Sequence, residues 1–328
     1  MSGPTPSLPV VAFTVAVGET SQSEARLCEA SFRHWHPDIP FLCIDDELYR
    51  LISGGRPPAW SGEIVSIRSM AGWLLSRHAQ RVIQLDGDLF VLGRLEGLLD
   101  TNETIFTADL NNFTMRVPEA PLINDGVLAS SDPALWQAWT SAQFGYLVPA
   151  LKQYYFDQLS LRLLVMAGAL QGRILDGRPG LPYYNISIDQ QPGEWRVDQG
   201  VVYKGTEKTL IYHQAGHPER GISGAPPELR AHLEELTRDV PSEKPDALVR
   251  DLMADGESFS AMIKEQLIRW PIATLEDLLP DVYASTPGYY RSVAPVAYDR
   301  LRKMEGTGWD RSWNRDWQAY LYFKKRTP

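Results

Sequence analysis

The strongest constraint on the fold is a short apolar run near the start of the chain, VVAFTVAV at Val10–Val17, which ends at Gly18. A run this short and rich in β-branched residues is typical of a strand buried on both faces, as in a parallel sheet. Strand and helix patterns then alternate, with further strands predicted at 41–45, 81–85, 104–108, 126–129 and 209–212. This alternation predicts an α/β domain with a mostly parallel open sheet and helices on both faces.

The helices between these strands are predicted from apolar residues at helical spacing. Ser21 and Glu24 have capping-box spacing ahead of the first helix, which Pro37 ends. Further helices are expected at 69–78, from 133 onward and at 157–168. The helices at 69–78 and from 133 onward each follow a predicted strand, as in the βαβ pattern of an open sheet.

The alternation stops near residues 221–227, GISGAPP, and the remaining chain has mainly helical patterns. We therefore predict one domain over residues 9–222 and a helical C-terminal extension over residues 223–328. The tail is aromatic and basic, with Trp309, Trp313, Trp317, Lys324, Lys325 and Arg326. Two structures fit this tail: an amphipathic helix on an anionic membrane, and a helix packed on the domain through its tryptophans.

Composition argues against several classes of function. The net charge of −9 over 328 residues disfavours general nucleic-acid binding. No apolar segment approaches the roughly 20 residues that span a bilayer, and MSGPTPSLP lacks the features of a secretory signal. Cys28 and Cys43 form no C-x-x-C pattern and are predicted to be reduced core residues. We expect a cytoplasmic protein whose membrane contact, if any, is peripheral.

A carboxylate pair points to the chemistry of the domain, because Asp86-Gly87-Asp88 directly follows the strand predicted at 81–85. In an open α/β sheet, ligands bind at the carboxyl ends of the strands. Two convergent carboxylates suit Mg²⁺ or Mn²⁺, and Gly87 permits an unusual backbone angle or close ligand approach. The alternative is a polar turn. Asp45-Asp46 is interpreted as a turn and helix cap, because adjacent residues in an extended chain point oppositely.

Three later segments carry further candidate residues. Asn124-Asp125-Gly126 stands just ahead of the short strand predicted at 126–129, Asp157-Gln158 opens an apolar helix, and His213 ends the last predicted strand. Each has a structural interpretation as well: a turn, a helix N-cap and a buried structural histidine. A histidine at a strand end in the same sheet as Asp86 would complete a metal site.

In this order the motifs resemble those of the retaining family-eight glycosyltransferases, the group of glycogenin and of bacterial lipooligosaccharide galactosyltransferases. The resemblance covers roughly residues 9–222 and rests on LDGDLFV, INDGVLASS, FDQLSLRLL and YHQAG. LPYYNIS at 181–187 is also similar to the family's Tyr-Asn segment. The resemblance implies a GT-A-type fold and transfer of a sugar, with retention of anomeric configuration, from a nucleotide diphosphate sugar. The expected donor is a UDP-sugar, and the acceptor is an unidentified saccharide, lipid-linked or protein group.

The resemblance also implies roles for individual residues. Asp86, Asp88 and His213 would bind Mn²⁺ or Mg²⁺, which would hold the donor diphosphate. Asn124 and Asp157 would contact sugar hydroxyls, and Gln158 would lie beside the anomeric carbon. Asp125, Asp157 and Gln158 are thus the catalytic candidates, although none is a strong nucleophile, so a front-face mechanism is expected. The other predicted donor contacts are Thr14, Val15, Ala16, Val17, Arg68, Gly87, Gly216 and Arg220.

The sequence also departs from the family pattern. Glu219 occupies the position of a family lysine that holds phosphate, and the neighbouring Arg220 is the candidate replacement. A haloacid-dehalogenase-type phosphatase with Asp86 as nucleophile is the main rival, although Phe90 stands where that motif prefers Thr or Val. Other rivals are an inverting glycosyltransferase, a non-catalytic nucleotide-sugar-binding relative, and a nucleotidyltransferase, whose usual glycine-rich basic loop is absent from VAFTVAVGETSQSEAR.

Overall fold

The computed structural model describes residues 7–52, 61–108, 123–141, 161, 164–165, 170–175, 180–186, 193–215, 219–238, 240 and 245–255. The strands are β1 Leu8–Val15, β2 Phe41–Ile44, β3 Ala79–Leu85, β4 Leu89–Val91, β5 Ile105–Ala108, β6 Ile123–Ser130, β7 Arg173–Leu175, β8 Trp195–Asp198, β9 Val201–Lys204, β10 Glu207–Lys208 and β11 Ile211–His213. The helices are α1 Glu19–Trp35, α2 Asp46–Ile52, α3 Ser61–Leu75, α4 Glu96–Leu99, α5 Pro133–Ser141 and α6 Pro227–Thr237, and residues 246–255 are also helical.

A six-stranded sheet with the order β2-β1-β3-β6-β5-β7 forms the centre of the fold. Strand β1 pairs in parallel with β2 and β3, and β5 pairs in parallel with β7. Strand β6 runs antiparallel to both β3 and β5. Two small sheets, β10-β9-β8 and β11-β4, complete the described part. The predicted α/β class with a mostly parallel sheet is confirmed.

Both faces of the sheet are buried, as the apolar run of β1 predicted. Val11 and Phe13 contribute to a core with the tryptophans of α3 and α5, whereas Ala12 contributes to a second core with Cys28 and Phe32 of α1. Successive residues of a strand point to opposite faces, so a strand covered on both sides is apolar at every position. The cysteines are free, as predicted; Cys28 is buried and Cys43 is partly buried.

Two local predictions are wrong. Helix α1 begins at Glu19 after Gly18, whose φ is 85°, and no side chain caps its first turn, so Ser21 and Glu24 form no capping box. Gly18 takes this left-handed conformation at no steric cost, and its N–H is bonded to Asp46 Oδ2 at 3.3 Å instead. Asn124-Asp125-Gly126 does not precede a strand but lies within β6, because β6 begins at Ile123. The interpretation of Asp45 is confirmed, since its Oδ1 accepts the N–H groups of Glu47 and Leu48 in α2.

The described part of the predicted C-terminal extension packs against the domain. Leu229 and Leu233 of α6 share a core with Phe90 of β4 and Tyr212 of β11. The described helices include none that is long and apolar enough to cross a membrane. The boundary at residue 222 remains a prediction, and the aromatic, basic tail lies outside the described residues.

Candidate metal centre

Three predicted ligands converge at the edge of the sheet where β3 ends. Asp86, Asp88 and His213 each offer one ligand atom, and these atoms all lie within 4.8 Å of one another. His213 Nε2 is 3.2 Å from Asp88 Oδ1 and 3.7 Å from Asp86 Oδ2. Among the described residues, this is the one group of three or more such side chains with metal-binding geometry.

Strand pairing explains how residues more than a hundred positions apart meet. Strand β4 begins directly after the Asp86–Asp88 turn and pairs antiparallel with β11, placing His213 opposite Leu89. The N–H of Gln214 also donates to the carbonyl oxygen of Asp88 at 3.0 Å. His213 therefore reaches the site from the two-stranded sheet, which corrects the expectation that it shares a sheet with the strand preceding Asp86.

Gly126 lies at the point of closest approach between β6 and the site. Its carbonyl oxygen accepts the N–H of Asp86 at 2.8 Å. A Cβ at this position would lie 2.7 Å from His213 Cε1, 2.7 Å from Asn124 Oδ1 and 3.1 Å from Asp86 Oδ2. Only glycine fits here without moving the site, because real Cβ atoms essentially never make contacts below 3.0 Å.

Gly87, in contrast, is not needed for the backbone of the motif. Its φ is not positive, so the predicted unusual backbone angle is absent. A Cβ on Gly87 would make ordinary contacts at 3.6 Å with Ala25 Cβ and with Thr14 Oγ1. Close approach of a ligand is therefore the remaining predicted reason for this glycine.

An irregularity in the pairing of β6 directs the side chains of Asn124 and Asp125 to different partners. The pairing of β5 with β6 jumps from Phe106–Leu128 to Thr107–Asn124. Bulges of this kind bend a strand and redirect side chains beside functional sites. Here Asn124 turns into a buried hydrogen-bond network, whereas Asp125 turns towards Arg68 and is almost fully buried.

Asn185 connects this network to the histidine. Its Nδ2 donates to Asn124 Oδ1 at 2.7 Å and to Thr107 Oγ1 at 3.0 Å, and its Oδ1 lies 2.8 Å from His213 Nδ1. Asn124 Oδ1 also accepts the backbone N–H of Gly126 at 2.7 Å. If Asn124 contacts a sugar hydroxyl, its Nδ2 would therefore make the hydrogen bond.

Two arginines, Arg68 and Arg220, lie beside the carboxylates. Arg68 Nη1 lies 2.8 Å from Asp86 Oδ1 and 3.3 Å from Asp125 Oδ2. Arg220 Nη1 lies 3.4 Å from Asp88 Oδ2 and 2.9 Å from Glu24 Oε2. Burial acts to lower the pKa of Arg220, but Asp88 and Glu24 outweigh it and raise the pKa. Both guanidinium groups are therefore held beside the triad as fixed cations.

The charges of Asp86 and Asp88 also act on the buried thiol of Cys28. Burial raises the pKa of the Cys28 thiol well above its ordinary value, and the charges of Asp88 and Asp86 raise it further. A thiol in this state is a poor nucleophile and a poor metal ligand, since both roles need the thiolate. Cys28 therefore contributes packing rather than chemistry.

The residues present fit a divalent cation. Two carboxylate oxygens and one imidazole nitrogen form the set, and Asn185 Oδ1 lies within hydrogen-bond distance of the far nitrogen of the ring, where metal-bound histidines commonly have a partner. Carboxylates suit hard cations, and an imidazole suits transition ions. A cation would also offset the charges of two carboxylates held this close together.

The remaining predicted residues divide into those near the site and those outside the described residues. Thr14 and Ala16 are buried at the carboxyl end of β1, and Val15 and Val17 are partly buried. The buried Thr14 hydroxyl has no hydrogen-bond partner within the described part and lies close to Gly87. Three predicted residues lie outside the described residues: Asp157, Gln158 and Gly216.

Sequence patterns missed several residues that support the site. Asn185 lies in the LPYYNIS segment, but no local pattern indicated that it would contact His213. The sequence places Glu24 in a capping box, whereas its carboxylate accepts a hydrogen bond from Arg220, 196 positions away. Gln214 holds the Arg220 segment, because its amide bonds to both the N–H and the carbonyl oxygen of Gly221 at 2.7 and 2.9 Å.

No protein-family model matches the chain, and no curated protein matches it by sequence. Among solved structures, it is similar to a glycosyltransferase involved in the glycosylation of the major capsid of PBCV-1, with 14% identity and a TM-score of 0.43 over 71% of this chain and 100% of that chain. It is also similar to the galactosyltransferase LgtC, solved with donor and acceptor sugar analogs, with 17% identity and a TM-score of 0.41 over 73% of this chain and 99% of that chain. A third match is the bifunctional glycosyltransferase WbbM, with 11% identity and a TM-score of 0.42 over 76% of this chain and 53% of that chain. Each of these three matches is to a glycosyltransferase, at low sequence identity.

Proposed function

We propose that this protein is a metal-dependent glycosyltransferase that moves a sugar from a nucleotide diphosphate sugar, expected to be a UDP-sugar, to an acceptor hydroxyl with retention. The observation that carries the proposal is the convergence of Asp86, Asp88 and His213 at one edge of the sheet. Arginines on both sides of the triad support it, because guanidinium groups bind phosphate oxygens well. The order of the four family motifs supports the donor class.

In this proposal Asp86, Asp88 and His213 hold the cation, with Mn²⁺ favoured over Mg²⁺ because one ligand is an imidazole. The bound cation supplies Lewis-acid stabilisation of the negative charge that grows on the leaving diphosphate. The chain adds fixed positive charge from Arg68 and Arg220, which need no reorganisation during the reaction. Arg220 therefore takes the place of the family lysine.

Retention is expected through a front-face reaction. The bond from the anomeric carbon to the diphosphate oxygen breaks, the acceptor oxygen bonds to the same face, and the acceptor proton passes to the diphosphate. Asp125 suits a supporting role rather than attack on the sugar, because it is almost fully buried and ion-paired with Arg68. Asp157 and Gln158 remain candidates for contacts with the transferred sugar.

The geometry favours a ligand role for Asp86 over the nucleophile of a phosphatase. Its Oδ1 accepts from Gln84 Nε2 at 3.1 Å and lies 2.8 Å from Arg68, while its Oδ2 faces His213. A nucleophilic carboxylate instead needs one oxygen directed at the phosphorus. Activity on phosphate esters without nucleotide dependence would support the phosphatase.

The test is a thermal-shift panel of UDP, GDP, CDP and dTDP, each with and without Mn²⁺. A ligand that binds only the native state raises the unfolding midpoint in proportion to its affinity. We expect a shift that requires both UDP and Mn²⁺ and that disappears in Asp88→Asn. Asp198→Asn is the matched control, because Asp198 is an exposed carboxylate paired with Arg196 in β8.

Turnover completes the test. With a UDP-sugar and Mn²⁺, Asp88→Asn is expected to lose at least about 100-fold in donor hydrolysis or transfer, since a metal ligand supports several kcal/mol of charge stabilisation. NMR of the anomeric proton in fresh product should show retention. Full activity of Asp88→Asn would rule out the metal-dependent reaction, and an inverted product would rule out retention. Nucleotide binding without turnover would indicate a non-catalytic relative.

A further inference from the structure

We propose that Asn185 is a positioning residue that holds His213 as the tautomer with a proton on Nδ1, so that Nε2 is left for the metal. The residue receives its own orientation through a one-way chain of hydrogen bonds that starts at the backbone N–H of Gly126. The inference rests on the proposed function for the use of the metal. The tautomer itself is a property of the metal-free protein.

The first link fixes the amide of Asn124. The N–H of Gly126 lies 2.7 Å from the side chain of Asn124, and a backbone N–H donates and never accepts. The atom that faces it must therefore be Oδ1. Gly126 itself lies so close to Asn124, Asp86 and His213 that a side chain there would not fit without movement of these residues.

The second link fixes the amide of Asn185. Asn124 Oδ1 accepts a second hydrogen bond at 2.7 Å, so the Asn185 atom that faces it must be the NH₂ group. The same NH₂ group donates to Thr107 Oγ1 at 3.0 Å. The Thr107 hydroxyl uses its own proton towards the carbonyl oxygen of Val127 at 3.1 Å, which leaves its oxygen free to accept. Both partners thus impose the same orientation on Asn185.

The third link fixes the ring of His213. With its NH₂ group directed at Asn124 and Thr107, Asn185 presents Oδ1 to His213 Nδ1 at 2.8 Å. An amide oxygen only accepts, so Nδ1 must carry a proton. In the neutral ring, Nε2 then carries the lone pair, and it faces Asp88 and Asp86. The nitrogen that faces both carboxylates is therefore the one able to bind a cation.

Backbone pairing and burial both oppose a reversal of the side-chain amides of Asn124 and Asn185. Residues 183–186 run beside residues 209–213 through two parallel bridges, and the N–H of His213 donates to the carbonyl oxygen of Ile186 at 2.9 Å. The side chains of Thr107, Asn124, Asn185 and His213 are all buried. Reversing either amide would leave buried polar groups without hydrogen-bond partners, which is unfavourable.

The experiment measures two quantities in the full chain: the His213 tautomer in the metal-free protein by ¹⁵N NMR, and Mn²⁺ affinity by calorimetry. Asn185→Leu removes both donor and acceptor. Asn185→Asp keeps an oxygen for Nδ1–H but sets a second oxygen against Asn124. Thr104→Val is the control for a buried hydrogen bond lost elsewhere in the domain, since Thr104 Oγ1 lies 2.8 Å from Ser130 Oγ.

We expect Nδ1 of the wild-type ring to be protonated in the metal-free protein, because Asn185 Oδ1 can only accept, whether or not Nε2 also carries a proton beside Asp88. Asn185→Leu should lose this preference and bind Mn²⁺ about 10–100-fold more weakly, the range found for partners of metal-bound histidines. Asn185→Asp should be less stable yet keep both the tautomer and an Mn²⁺ affinity close to wild type. Thr104→Val should lose stability alone.

Two results would overturn the inference. One is a wild-type ring whose Nδ1 carries no proton, and the other is an Asn185→Leu protein that keeps the protonated Nδ1 and the Mn²⁺ affinity. A merely structural role would make Mn²⁺ affinity follow stability in all three variants, and this result would also overturn it. A wild-type protein that binds no Mn²⁺ would refute the proposed function, while the tautomer would still decide the role of Asn185.

Discussion

Gly126→Ala is expected to lower the stability and the Mn²⁺ affinity of the protein more than Gly87→Ala, which changes the glycine of the Asp-Gly-Asp motif. The added Cβ would lie 2.7 Å from His213 Cε1, 2.7 Å from Asn124 Oδ1 and 3.1 Å from Asp86 Oδ2. Two of these contacts are shorter than proteins tolerate, and two of the three partners belong to the metal-binding triad. Strand β6 is buried along its whole length, so it has little room to move away.

The magnitude follows from two opposing effects. Overpacking a well-packed interior costs about 1–3 kcal/mol of unfolding free energy. Replacing glycine by alanine returns about 0.4–1 kcal/mol by restricting the unfolded chain. The net loss is about 1–2 kcal/mol, which corresponds to a fall in Tm of about 2–8 °C for a domain of this size. Displacement of the ligand side chains should weaken Mn²⁺ binding about 10-fold or more.

Gly87→Ala is the matched control, because its Cβ would make only ordinary contacts at 3.6 Å. We expect its stability to stay within about 0.5 kcal/mol of wild type and its Mn²⁺ affinity to be unchanged, by thermal unfolding and by calorimetry without nucleotide. If Gly87→Ala weakens only nucleotide binding, the predicted close approach of the ligand is supported. A Gly126→Ala protein as stable and as tightly Mn²⁺-binding as wild type would refute the reasoning.

Three further predictions concern pH, charge and the tail. Burial lowers the pKa of His36 to about 4, and its neutral Nε2 accepts the N–H of Leu95 at 3.1 Å. As the pH falls, the unfolded chain therefore binds the extra proton before the folded protein does, and about 1–3 kcal/mol of the stability present above pH ~6.5 should be lost as the pH approaches 4. Chemical denaturation at several pH values should show this loss in the wild-type protein and not in His36→Gln. Arg68→Met removes the cation paired with Asp125, so the metal-free protein should lose about 3 kcal/mol of unfolding free energy in the same assay, and Mn²⁺ should restore part of it. An equal loss with and without Mn²⁺ would contradict the importance of this pair. If the tail binds membranes, removal of residues 309–328 should abolish cosedimentation with anionic vesicles and leave nucleotide binding intact; equal cosedimentation would indicate that the tail packs on the domain.

The sequence predicts those parts of the fold that depend on local pattern. The first strand and its buried faces follow from an uninterrupted apolar run, and Asp45 as a helix cap follows from the geometry of adjacent residues. The start of the first helix does not follow, because it involves a contact between Gly18, just before α1, and Asp46, the first residue of α2. The irregularity of β6 at Asn124 and Asp125 likewise depends on its neighbours in the sheet.

The site divides in a similar way. Asp86 and Asp88 are readable from the sequence because they directly follow a buried strand. His213 needs the family order as well, since it arrives through the pairing of β4 with β11. The supporting residues Asn185 and Glu24 contact partners far along the chain, so no spacing marks them. Chemistry at strand ends is therefore predictable here, whereas the hydrogen bonds that orient it are not.

Pulsed EPR of the Mn²⁺-loaded protein tests the central claim most directly, because it detects nitrogen nuclei bonded to the ion. We predict coupling to one histidine nitrogen in the wild-type protein, its loss in His213→Gln, and much weaker Mn²⁺ binding in Asp88→Asn. Tight Mn²⁺ binding without nitrogen coupling, or coupling that persists in His213→Gln, would contradict a metal centre formed by Asp86, Asp88 and His213.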